Sequence, residues 1–132
     1  ELMNHPELFI IIYRFVPEEL KSELDHLMKS PRKNTERITA INNIINELNI
    51  ELHKTIRDHD MSFVSRTRIE STRYSPRRVV VLRAITINPN TEPSMLKQIL
   101  KEHRRMGIKL WKKMKESCLD ARGRLKRKQA DA

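Results

Sequence analysis

Three features of the sequence predict an α+β fold, a small antiparallel sheet covered by helices. Two apolar runs, 8–16 and 79–87, are rich in β-branched residues, which suit a pleated, covered surface. A third stretch, 63–69, alternates along its length as a half-exposed strand does. The segments between and after these runs place apolar residues three and four apart, the period of a helix packed on one face. The order strand, helix, strand, strand, helix fits one two-layer domain, and 132 residues are enough for a modest core.

The first run, Leu8 to Val16, ends at Pro17, which has no N–H to give to a sheet ladder. It is apolar on both faces and is expected to be covered on both. Glu18 to Met28 suits a short helix stopped by Ser30-Pro31. Asn34 to Asp58 is the clearest helix, with Ile38, Ile41, Ile45, Leu48, Leu52 and Ile56 on one face and Asn34 or Thr35 as its cap. In 63–69, Phe63, Ser65, Thr67 and Ile69 point one way and Val64, Arg66 and Arg68 the other. Residues 70–77, with Ser, Thr and Pro76, form a hairpin connection to the strand Val79–Ile87. Asn88-Pro89-Asn90-Thr91 ends that strand, and Thr91 caps a last helix with Pro93 in its first turn. That helix carries Leu96, Ile99, Leu100 and His103 on one face and continues toward Trp111, Met114 and Cys118. Gly107 weakens it locally, by about 1 kcal/mol relative to alanine. Residues 1–132 read as one domain, with 109–132 a basic helical extension or tail that frays beyond 121.

The charge is unevenly spread. Residues 1–60 hold eight Lys/Arg and eleven Asp/Glu, a net of −3, whereas 61–132 hold nineteen and six, a net of +13. A basic half of this size could attract nucleic acid, an acidic membrane or an anionic substrate, or could simply be solvated helix surface. No run of about 18 apolar residues exists, so no membrane helix is expected. The lone cysteine, Cys118, excludes an internal disulfide and a Cys-rich metal site, and suits a reducing, cytoplasmic setting. The two glycines, Gly107 and Gly123, cannot build a phosphate-cradling loop. His5, His26, His53, His59 and His103 are scattered without metal-ligand spacing. The sequence opens on Glu1 rather than methionine and is read as a fragment or processed chain.

Arg83 is the most informative single residue. By the two-residue period of a strand it shares a face with Val79, Val81, Ile85 and Ile87. A guanidinium on an apolar face is costly to desolvate unless an anion pairs with it. Two readings stand: an internal ion pair or a snorkelling end, or a fork that receives a carboxylate or phosphate bidentately. Arg14 poses the same question among Leu8, Ile10, Ile12 and Val16, nearer a strand end where escape to solvent is easier. The cations from Lys97 to Lys128 offer a nucleic-acid alternative, with little support for base stacking because Trp111 is the only aromatic among them.

Two stretches resemble the C-terminal region of group II pyridoxal-phosphate-dependent amino-acid decarboxylases. The first is Asn4-His5-Pro6-Glu7-Leu8 followed by Tyr13-Arg14-Phe15-Val16-Pro17; the second is Val80-Val81-Leu82-Arg83-Ala84 followed by Asn88-Pro89-Asn90-Thr91. Between them, Ser62-Phe63-Val64-Ser65-Arg66-Thr67 is similar to the bacterial members. The resemblance covers about residues 1–108 and is greatest to the branch of pyridoxal-dependent aspartate 1-decarboxylase and L-2,4-diaminobutyrate decarboxylase. It implies the C-terminal small domain of a fold-type I enzyme, whose catalytic lysine and pyridoxal 5'-phosphate site belong to a large domain of the same polypeptide. It implies a homodimer, an amino-acid substrate, no catalytic residue and no bound cofactor in this piece, and Arg83 as the group that pairs with the substrate's α-carboxylate. The His53-Lys54 pair has the form of the family's Schiff-base lysine, but its helical, polar flanks make it a surface pair. Two other classes remain open on the residues alone, a stand-alone basic module for nucleic acid or another acidic partner, and a structural dimer or scaffold domain.

Overall fold

The computed structural model describes residues 1, 10–58, 64–70, 74, 78–85 and 93–118. Three strands, β1 (Ile10–Tyr13), β2 (Val64–Glu70) and β3 (Arg78–Ile85), form an antiparallel sheet in the order β1-β3-β2. Three helices accompany it, α1 (Glu18–Leu27), α2 (Thr35–Asp58) and α3 (Pro93–Cys118). The α+β arrangement agrees with the one predicted, including the antiparallel β2–β3 pair with Val64 opposite Ala84 and Glu70 opposite Arg78.

The central position of β3 explains its composition. Val79, Val80, Val81 and Leu82 are all 0–1% exposed, and consecutive strand residues point to opposite faces, so this stretch is covered on both sides. On β2 the alternation is visible as burial: Ser65, Thr67 and Ile69 are half-buried while Arg66 and Arg68 are exposed. All six residues of the predicted α2 stripe are buried. Ile38, Ile41, Ile45 and Leu48 join Leu20 and Leu24 of α1, Val79 and Val81 of β3, and Trp111 of α3. Leu52 and Ile56 pack with Tyr13, Leu82 and Ala84. Each such aliphatic side chain contributes about 1.5–3 kcal/mol on leaving water.

β1 is shorter than the predicted run, and the reason lies in α2. Its strand pairing with β3 runs from Ile10 opposite Ile85 to Tyr13 opposite Leu82. At Phe15 the backbone has left the ladder: its N–H donates to Asn49 Oδ1 at 2.8 Å, and its carbonyl accepts from Asn49 Nδ2 at 2.8 Å. The β3 backbone beyond the end of β1 is treated alike. Val80 N–H donates to Asn46 Oδ1 at 2.9 Å, and Asn46 Nδ2 reaches the Arg78 carbonyl at 3.4 Å. Asn42, one turn earlier, accepts from Arg14 Nη1 at 3.0 Å. The three asparagines are themselves buried, at 2%, 8% and 0% exposure. They form a polar seam beside the apolar stripe of α2: Asn46 and Asn49 each match a backbone donor and acceptor left open at the sheet, while Asn42 accepts from Arg14 and donates to the Ile38 carbonyl of its own helix. Residues 8 and 9, the 71–73 and 75–77 parts of the hairpin connection, and the Thr91 cap fall outside the described residues.

Two smaller differences have local causes. Asn34 does not cap α2; its Nδ2 donates to the Leu27 and Ser30 carbonyls and closes the α1–α2 turn. α3 runs unbroken through Gly107 to Cys118. The glycine is there for closeness: a Cβ at 107 would lie 2.6–2.8 Å from the ring carbons of Phe15. The stretch after Lys109 is not a free tail as far as Cys118, because Trp111 is buried and Leu110 and Met114 pack against the core.

Two predictions follow from this packing. Asn49→Ala should cost about 2–4 kcal/mol in a urea melt, because it strands both backbone groups of Phe15, whereas Asn43→Ala on the exposed side of α2 should stay within about 0.5 kcal/mol. Gly107→Ala, favourable in an open helix, should instead destabilise by about 1–3 kcal/mol because the Phe15 ring has to move.

Candidate functional site

β1 and the chain leaving it carry two buried polar side chains into one region. Tyr13 ends the strand, and its hydroxyl meets His103 Nδ1 of α3 at 2.6 Å. The two rings stack, with centroids 6.0 Å apart and planes 14° from parallel. Burial raises the Tyr13 pKa and keeps the phenol protonated. Burial also lowers the His103 pKa, against a smaller opposing pull from Glu102, so the imidazole is neutral and the tautomer sets which of the two groups donates.

Arg14 is the next residue, 1% exposed. Its Nε donates to Glu1 Oε2 at 2.8 Å and its guanidinium lies over the Tyr74 ring, 5.1 Å from the centroid. With Nη1 on Asn42, the charge is matched by a carboxylate, an amide and an aromatic face. A cleft of about 600 Å³ opens beside these groups, lined also by Phe15, Lys21, Leu100 and Arg104. Leu100 is 39% exposed at its rim rather than on the packed face of α3.

The two arginines sit in opposite environments. Arg14, for which escape to solvent is the easier course on the sequence, is buried and paired. Arg83, for which an internal ion pair, a snorkelling end and an anion-receiving fork all stand open on the sequence, is exposed. Its neighbours on the same face, Val79 and Val81, are fully covered, so the cover on that face stops between 81 and 83. The Arg83 Nε donates to Ser65 Oγ, its cross-strand partner, at 3.1 Å. No carboxylate among the described residues pairs with it. Its backbone is held between β1 and β2, opposite Ile12 and Ser65, so the guanidinium stands on a rigid base.

Lys54 is exposed on α2 and pairs with Glu51 at 2.8 Å. His53 turns inward, its Nε2 3.1 Å from the Val64 carbonyl, and ties the start of β2 to α2. Among the described residues no three His, Cys, Asp or Glu side chains gather as a metal site. No helix there is long and apolar enough to cross a membrane. Sequence reasoning missed the Tyr13–His103 contact and the asparagine seam. The first joins residues far apart in the chain; the second was visible as Asn42, Asn46 and Asn49 at helical spacing.

The chain is 33% identical over 104 residues to the aspartate 1-decarboxylase of Aliivibrio fischeri, a match covering 79% of this chain and 18% of that protein. The similarity marks the chain as decarboxylase-related, and the chain spans about a fifth of the length of that relative. No family model matches it. No solved structure matches it.

The buried, neutral histidine sets a pH dependence. The unfolded chain takes up a proton near the ordinary histidine value of 6.5, where the folded chain does not. Stability should therefore be full above that pH and fall as the pH drops through it, by at most about 1.4 kcal/mol per unit, until the lowered folded value is passed. Urea midpoints between pH 7.5 and 5 should show this arm, and His103→Gln should flatten it.

Proposed function

We propose that the chain is the C-terminal small domain of a pyridoxal-phosphate-dependent amino-acid decarboxylase, and that Arg83 grips the substrate's α-carboxylate. The observation that carries this is the state of Arg83: a guanidinium on the rigid central strand, exposed, with one nitrogen fixed by Ser65 and no acidic partner among the described residues. An internal ion pair would reach a carboxylate, as Arg14 reaches Glu1, and an end that only snorkels would need no fixed contact such as the one to Ser65. The similarity to a named aspartate 1-decarboxylase supplies the reaction class.

The described residues do not fit a resident pyridoxal phosphate. Lys54, in its His-Lys pair, is exposed on α2 and its amine is paired to Glu51, in place of the buried pocket that a Schiff-base lysine needs. In this proposal the cofactor sits on the large domain of the same polypeptide, and a homodimer completes the enzyme in the cytoplasm. Arg83 then acts by binding and direction. The terminal nitrogens of a guanidinium offer parallel donors to both oxygens of a carboxylate. Anchored on β3, they would hold the bond to that carboxylate in one orientation, which is a positioning effect. The substrate is an amino acid such as aspartate, glutamate or 2,4-diaminobutyrate.

In the full-length enzyme, Arg83→Lys and Arg83→Met should each lower turnover at least about 100-fold, because positioning of the scissile bond is lost. Both should melt within about 0.5 kcal/mol of the parent, since the side chain is exposed. Steady-state carbon dioxide release beside urea melts checks both. Near-normal turnover in Arg83→Met would remove the carboxylate role, and strong destabilisation would return Arg83 to a structural ion pair.

A further inference from the structure

The outer face of α3 is a continuous row of cations that the decarboxylase reading does not use. Pro93–Cys118 holds eight Lys/Arg and two Glu. Arg105 pairs with Glu102 and Lys115 with Glu19. The other six, Lys97, Lys101, Arg104, Lys109, Lys112 and Lys113, are exposed and have no ion pair among the described residues. They lie at spacings of four, three, five, three and one residue, with the exposed Ile108 among them, and span about 24 Å of the helix axis. They also wrap the helix: nine residues, two and a half turns, separate Arg104 from Lys113, so the two project from opposite flanks.

We infer that this face of α3 docks into the major groove of duplex DNA through phosphate contacts, without reading the bases. Shape separates this partner from a bilayer. A flat anionic membrane meets only the strip of a helix that faces it, and most of the apolar side that could anchor α3 in lipid is packed around His103 and Trp111, which leaves only Leu100 and Ile108 exposed among the described apolar side chains of the helix. A groove about 12 Å wide accepts a helix about 10–12 Å across, and its two phosphate walls meet both flanks at once. Base stacking is absent from this mode of binding, because Trp111, the aromatic of α3, is buried. Binding by phosphate contact is independent of DNA sequence and steeply dependent on salt.

The test is a salt titration of binding to a random-sequence DNA duplex, made with the intact protein. Six neutralised phosphates give a slope of log affinity against log salt of at least about −5. Lys101→Gln, Lys109→Gln and Lys112→Gln together should make that slope shallower by about 2.7, with decarboxylase turnover and circular dichroism unchanged. A control triple with the same loss of charge, Lys29→Gln, Arg32→Gln and Lys33→Gln at the exposed α1–α2 turn, should leave it within about 0.5. Equal loss in both triples would reduce the effect to net charge and overturn the inference. So would no association at 50 mM salt, or tighter binding to phosphatidylserine vesicles than to the duplex. None of these outcomes bears on Arg83, so this inference and the decarboxylase proposal fail separately.

Discussion

The fold depends on how α2 satisfies backbone that the sheet leaves open. A strand that ends inside a structure exposes N–H and carbonyl groups, and burying them unpaired costs more than the packing around them returns. Asn49 takes both groups of Phe15, and Asn46 takes Val80 N–H and the Arg78 carbonyl. With these bonds in place, β1 can stop at Tyr13 and β3 can still bury both faces. They also fix α2 in register with the sheet, because an amide at 46 or 49 has its partners in one position only. The apolar stripe supplies the driving force for packing; the adjacent amides decide where the helix sits.

Arg14 rests on the same seam. A buried guanidinium is tolerable when its charge is met: Glu1 takes Nε, Asn42 takes Nη1 and the Tyr74 ring faces the group, while Nη2 is buried without a hydrogen-bond partner. The chain leaving β1 therefore enters the interior carrying a charge. Tyr13, one residue earlier, uses the same entry to reach His103 on α3. Phe15, one residue later, lies so close to α3 that only glycine fits at 107. A stretch of three residues thus touches α2 and α3, and each contact uses a different kind of interaction.

Arg83 illustrates the opposite arrangement. Its strand is the best-buried element of the molecule, yet the cover on its face ends one pair before it. The result is a strongly positioned charge with little protein around it. That combination suits a group that receives an anion from another body, since its backbone is held in the ladder and, among the described residues, only its Nε is engaged, by Ser65. The solvated cations of α3 are different in kind. They stand on flexible stems and gain their effect from number and spacing rather than from fixed geometry.

The sequence by itself determined the elements, because each is written in local periodicity. The α2 stripe, the alternating β2, the doubly apolar β3 and the final helix starting at Pro93 all read correctly from spacing. The α+β class followed from their order. Burial of the two arginines was decided only by tertiary structure. Both sit in apolar runs that read as strands, and period two says which face a residue shares but not where the strand ends or where its cover begins and ends. The partners that settle the matter, Asn42 for Arg14 and the open space beside Arg83, come from other elements. The Tyr13–His103 contact joins positions 90 residues apart. Its geometry depends on how α3 crosses the end of β1, and no local pattern encodes a crossing.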